Sequence, residues 1–267
     1  MDARRLSARH GFLWLLAGFA LFRRNPPLTT VLTFGYLLTV IVVNLIPTIG
    51  PILLPLLLPA LTVMLGNGCR AIERGQPFTG DTLMAGLGPQ RIGLVRLGGL
   101  HLVGSTVLVL VASMFSEPIN LKDGMSPAEA EALLADLGIL MALATPLLMA
   151  FWFAPLLTAW NGVSAGKSLF FSFVASWRNW RAFAMYGLTL AVVGAVLPGL
   201  ILIVAGLISQ ALLDILSIAL RMLLIFVLAP VMVASVYLSY RDVFETPEPI
   251  EPVEPPPVEP PPALPDE

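Results

Sequence analysis

Two stretches of this chain imitate catalytic motifs. Gly162-Val163-Ser164-Ala165-Gly166 matches G-x-S-x-G, in which a serine on a strained strand-to-helix turn attacks a carbonyl beside a histidine held by an acid. The chain has 2 histidines, His10 and His101, and the run before Gly162 reads as a membrane helix rather than a strand. Gly162 ending one helix and Ser164 capping the next accounts for the same letters. Gly166-Lys167-Ser168 resembles the end of a phosphate-binding loop, yet the first glycine of such a loop would fall at Asn161 and no strand leads in. Lys167 reads instead as a lipid-headgroup contact on an interfacial helix.

His101 is the one ionisable residue well inside an apolar run, and such residues are the usual functional suspects in membranes. Arg96 lies about 7.5 Å away along the helix and about 140° round it, so the two share a cavity only if Arg96 bends round. The alternative for His101 is an interhelical hydrogen bond and nothing more. Cys69 is the single cysteine, which excludes an intramolecular disulfide framework and a thiolate metal cluster. There is no H-E-x-x-H, no cluster of metal-ligating residues and no chain of intramembrane carboxylates. The expectation is a non-enzymatic protein with no cofactor, no metal and no nucleic-acid partner.

The elements that carry these residues are set by composition. With 57% hydrophobic and 12% charged residues and a mean hydropathy of +0.86, the chain has more apolar surface than a soluble domain can cover. The expected fold is all-α, a polytopic transmembrane helical bundle. Apolar runs place six spans at about 28-46, 52-65, 97-115, 138-157, 182-208 and 222-240. In the second, Pro51, Pro55 and Pro59 recur on one helical face and remove successive backbone donors, so that helix belongs inside the bundle, where neighbours can satisfy the freed carbonyls. Ser126-Pro127-Ala128-Glu129 forms a capping box opening a short surface helix to about Leu137. Gly187, Ala191 and Ala195 offer a small-residue face for close helix contact.

A unit repeats. Setting Asn25 on Asn179 aligns Leu15 with Leu169, Phe19 with Phe173 and Arg24 with Arg178, and each copy leads into a long apolar run. Asp81 to Arg91 reads as a weaker third copy. The first copy, residues 11-24, imitates a signal peptide, but Arg23-Arg24 follows it directly. Its twelve apolar residues reach about 18 Å, short of a hydrocarbon core of about 30 Å. It is expected to be interfacial or half-buried. In the second copy Leu169, Phe170, Phe173, Val174 and Trp177 form an apolar stripe opposite Ser164, Ser168, Ser172 and Ser176, the pattern of a helix lying along the interface.

Of 15 basic residues, all but Lys122 and Arg221 fall in the N-terminal segment, in stretches 66-96 and 161-181, or at Arg241. The positive-inside rule then puts both termini on the cytoplasmic side of the membrane. Arg23, Arg24, Arg178 and Arg181, with Lys167, stand where interfacial helices meet spans and should contact anionic phospholipid headgroups. Residues 245-267, rich in proline and acids, are expected to form a disordered cytoplasmic tail.

F-R-R-N-P at 22-26, I-P-T-I-G-P at 46-51, C-R-A-I-E-R-G at 69-75, W-F-A-P at 152-155, S-F-V-A-S-W-R-N-W at 172-180 and Y-R-D-V-F at 240-244 resemble a family of six-span inner-membrane proteins of proteobacteria. That resemblance implies topology and location and carries over no functional residue. The leading expectation is a membrane component that engages anionic lipid or a protein partner. The alternative is a small-solute or lipid transporter with a cavity near Arg96 and His101.

Overall fold

The structure, a computed structural model, describes residues 3–114 and 127–245. The capping serine Ser126, most of the acidic loop and the tail beyond Glu245 lie outside the described residues. Among the described residues twelve α-helices follow one another: α1 (Arg9–Arg24), α2 (Pro26–Asn44), α3 (Gly50–Arg74), α4 (Gly80–Met84), α5 (Arg91–Ser113), α6 (Pro127–Trp152), α7 (Ala154–Asn161), α8 (Ala165–Arg178), α9 (Trp180–Ala191), α10 (Leu197–Ile208), α11 (Gln210–Leu223) and α12 (Ala229–Phe244). Among the described residues six helical stretches are long and apolar enough to cross a bilayer: α2, α3, α5, Glu131–Asn161, Trp180–Ile208 and Gln210–Phe244. The fold is thus an all-α polytopic bundle. The capping-box helix and the fourth span form one uninterrupted helix, α6, rather than a surface helix followed by a span.

The duplication is visible in burial. Gly11, Trp14, Gly18, Leu21 and Phe22 of α1 are buried, and so are Ala165, Ser168, Ser172, Ala175 and Ser176 of α8, the same positions once Asn25 is set on Asn179. Both helices break at that asparagine before a membrane-length run. Asn25 accepts a hydrogen bond from Leu28 N at 3.2 Å and so caps α2. Asn179 has another task, because Leu6 N donates to its Oδ1 (2.7 Å) and its Nδ2 donates to Arg4 O (2.9 Å), which ties the N-terminal strand of chain to the bundle. The weaker third copy has shrunk to the five-residue α4, capped by Thr79. Each unit's first helix packs on another unit: α1 against α9 and α12, α4 against α3, α8 against α6 and α7.

α1 comes close to its neighbours because its buried stripe contains glycine. A Cβ on Gly11 would lie 2.0 Å from Ala182 O, and one on Gly18 would lie 2.5 Å from Ser235 Oγ. The small residues Gly187, Ala191 and Ala195, by contrast, are exposed, and nothing lies within 4 Å of where a Gly187 side chain would begin. Close-contact glycines lie instead in α1 and in the spans α3 and α5, where a Cβ on Gly98 would lie 2.7 Å from the Leu56 backbone.

α8 is turned the opposite way from its amphipathic pattern. Ser168, Ser172 and Ser176 are fully buried, while Phe170 and Trp177 are each 63% exposed. The serines mend a helix break. α6 ends at Trp152 and α7 begins at Ala154, with Pro155 at its start, so the ladder is interrupted at Phe153. Ser172 Oγ accepts from Phe153 N at 3.0 Å and donates to Met149 O at 2.8 Å, inserting itself into the interrupted turn. Ser176 Oγ also reaches Met149 O, at 3.3 Å, and Thr158 Oγ1 donates to Ser168 Oγ at 2.8 Å. In an apolar medium these hydroxyls are worth more against broken backbone than against headgroups, and the aromatic face is free to meet lipid.

Two further prolines are accommodated by widened turns. Residues Val192–Val196 and Leu224–Leu228 form π-turns immediately before α10 and α12, which carry Pro198 and Pro230 in their first turns. The ladder passes the ring by five-residue bonds, Leu197 N to Val192 O and Ala229 N to Leu224 O.

Candidate functional site

Residues of five of the spans and of the α6–α7 break line a partly open cavity of about 410 Å³. Its walls come from α2 (Tyr36), α3 (Leu58, Pro59, Thr62), α5 (His101), the α6–α7 break (Phe151, Trp152, Pro155), α9 (Tyr186) and α12 (Met232, Tyr237). Prolines make these walls irregular. In α3, the most deeply packed of the six spans, Pro55 and Pro59 are buried. Pro59 has no N–H for the Pro55 carbonyl, so the α3 ladder lacks a bond there. The His101 ring lies tilted against that of Phe151, with ring centroids 4.6 Å apart. Arg96 is exposed on α5 and is not part of the cavity wall.

Toward the end where α3 and α12 finish, an aromatic layer borders the cavity. Trp152 packs edge-on against Tyr186 and Phe183, and Trp160 against Tyr237 and Tyr240. Beyond that layer lies an ionic clasp. The Tyr237 hydroxyl and the Arg241 guanidinium both donate to Glu73, Arg241 also pairs with Asp242 at 2.9 Å, and Arg70 pairs with Glu245. Arg70 lies 3.7 Å from the centroid of the Trp160 ring, and Trp14 Nε1 donates to Asp242 Oδ2 at 3.1 Å. Asn67 holds α4 in place, donating to the carbonyls of Leu83 (2.8 Å) and Ala85 (2.9 Å) while accepting from Trp160 Nε1 (2.9 Å). Sequence reasoning passed over this clasp. The usable signal was Arg70 and Glu73 at a three-residue helical spacing, with Tyr237, Tyr240 and Arg241 on a second helix end.

The basic residues singled out as headgroup contacts fall into separate groups. Arg23, Arg24, Lys167, Arg178 and Arg181 are all exposed. Arg24 Nη1 donates to Glu73 O at 2.9 Å, and Arg23 and Arg181 lie beside Phe19 and Trp180. α1 separates the two arginine pairs: its start lies on Ala182, next to Arg181, and its end on Glu73, about 20 Å away by helical rise.

Gly162 ends α7 in the left-handed conformation (φ 65°), and Ser164 occupies the N-cap position of α8 but makes no capping bond. It is exposed, and the G-x-S-x-G letters describe a junction between helices. Among the described residues no group of three or more His, Cys, Asp or Glu could hold a metal ion.

No protein-family model and no solved structure matches this chain. A probable inner membrane protein of Burkholderia thailandensis is 35% identical over 275 residues, which cover 96% of this chain and 98% of the relative. Similarity of that extent spans both copies of the repeat and every wall of the cavity, so the chain belongs to the same family of inner membrane proteins.

Proposed function

We propose that this protein is a non-enzymatic, lipid-binding component of the inner membrane that holds the apolar part of a membrane lipid in its central cavity. The observation that carries the reading is the cavity itself. Its volume of about 410 Å³ lies within the range of small-molecule sites, roughly 300–1,000 Å³. Its walls are aromatic and aliphatic with a few polar groups, and it sits among helices whose outer surfaces face lipid. The volume suits a single chain rather than a whole phospholipid. The excess of basic residues at one end supports a topology with both termini in the cytoplasm, where Arg23, Arg178, Arg181 and Lys167 meet anionic headgroups and hold α1 and α8 in the interface.

The test is photo-crosslinking of purified protein with a diazirine-bearing acyl chain, mapped by peptide mass spectrometry. Adducts at Thr62, Phe151 or Met232, lost in a correctly assembled Thr62→Trp variant, support the reading. Adducts confined to outward residues such as Val31 and Leu200 refute it. A second reading, transport of a lipid or small solute, is favoured by the duplicated unit and by the broken helices around the cavity. It predicts probe movement between leaflets of reconstituted vesicles, which a holding protein does not produce.

A further inference from the structure

Two residues of the cavity wall are exposed, and together they mark its opening. Leu148 is 54% exposed and Met232 39%. Leu148 belongs to α6 and Met232 to α12, and those two helices are tied together at one level. At the α6–α7 break Trp152 Nε1 donates to Ser239 Oγ at 3.1 Å, Trp152 packs on Phe183 and Tyr186, and Phe153 packs on Tyr240. Among the described residues α6 otherwise packs on α5, α7 and α8 and makes no extended contact with α9 or α12. The gap between α6 and α12 is therefore bounded by the aromatic ties on one side and open beside Leu148, one helical turn from Trp152, and Met232.

The level of that opening decides what can use it. Met232 precedes Arg241, in the ionic clasp, by about 13 Å of helical rise, and half of a hydrocarbon core is about 15 Å. The opening thus lies near the bilayer midplane, where chain ends are and headgroups are not. No Asp, Glu, Lys or Arg lines the wall, so a charged headgroup carried inside would lose its water with no counter-ion to replace it. We infer that the cavity is filled sideways from within the membrane, by the methyl end of a lipid chain passing between α6 and α12 while any headgroup stays at the interface. The inference rests on the lipid-binding reading and adds the route and the part of the lipid that enters first. A phospholipid and a headgroup-free lipid of the midplane both present that chain end, and the test separates them.

The experiment is photo-crosslinking of the full-length protein in phospholipid vesicles with three probes. One is a phosphatidylglycerol with a diazirine next to the methyl end of one chain, the second the same lipid with the diazirine next to the ester, and the third a diazirine-bearing hydrocarbon without a headgroup. Adducts at Thr62 and Tyr186 of the inner wall are expected from the methyl-end phospholipid and not from the ester-end one. Inner-wall adducts from the headgroup-free probe alone keep the route and assign the ligand to the midplane. Leu148→Trp and Met232→Trp, both at exposed positions, should each lower these adducts about fivefold or more by overfilling the gap, with adducts at the outward Val31 and Leu200 unchanged. Equal inner-wall labelling by the ester-end probe, or labelling that neither tryptophan reduces in folded protein, overturns sideways entry while leaving lipid binding intact. Outward adducts with no inner-wall adduct from any of the three probes sink the lipid-binding reading and this inference with it.

Discussion

Replacing Ser172 by alanine isolates the contact that distinguishes the inward-facing α8 from a helix with its serines in water. Ser172 Oγ serves two backbone groups at the α6–α7 break, accepting from Phe153 N at 3.0 Å and donating to Met149 O at 2.8 Å. In Ser172→Ala the Met149 carbonyl keeps Ser176 as a donor at 3.3 Å, but the buried Phe153 N–H is left with nothing. An orphaned buried donor is expected to cost about 1–3 kcal/mol. Ser176→Ala removes one donor from a carbonyl that retains another, so its cost should resemble the membrane average of about 0.6 kcal/mol. Ser164 is exposed and makes no capping bond, so Ser164→Ala should be neutral. Unfolding of the detergent-solubilised protein by SDS, followed by circular dichroism, gives the order, and hydrogen exchange at the Phe153 amide gives the local effect. If Ser172→Ala and Ser176→Ala are both as neutral as Ser164→Ala, and the Phe153 amide stays protected, α8 does not mend the break and the packing described here is wrong.

Orientation can be tested in a Cys69→Ala background, since Cys69 is the single cysteine. Ser209→Cys at the α10–α11 turn should react with an impermeant thiol reagent in intact cells and Gln76→Cys should not; the reverse pattern would invert the topology. Arg178→Gln with Arg181→Gln should keep that topology but release anionic phospholipid in native mass spectrometry, and unchanged lipid retention would leave these arginines with a role in insertion alone. Glu73→Ala removes the shared acceptor of Tyr237 and Arg241 and should destabilise the protein by about 2 kcal/mol. A double-mutant cycle with Arg241→Ala should show coupling above about 0.5 kcal/mol, and strict additivity would mean that the clasp contributes nothing as a pair.

How much of this was legible beforehand differs from residue to residue. The spans were, because bilayer thickness demands about twenty apolar residues and that demand is written locally in the chain. The duplication was, since Asn25 and Asn179 end helices that bury the same positions. The proline face of α3 announced an interior helix, because a carbonyl freed in lipid has to find a donor somewhere. The direction in which α8 faces could not be read. Its serine stripe and its aromatic stripe have one periodicity and two possible partners, water or a broken backbone, and the need at Phe153 arises in another helix.

The small-residue stripe of Gly187, Ala191 and Ala195 misleads for a similar reason: small side chains permit close approach, but only a neighbour makes it happen. The cavity was decided by tertiary structure alone. Tyr36, Thr62, His101, Trp152, Tyr186 and Tyr237 come from six different stretches of sequence, and no spacing between them carries information. The sequence by itself determined that this chain is a duplicated, six-span membrane bundle, because hydropathy and helix-breaking residues act within a few turns of themselves. Which hydroxyls are consumed by a broken backbone, as Ser172 is at the α6–α7 break, was decided only when the helices packed, because a hydrogen bond requires two groups to meet and the sequence names only one of them.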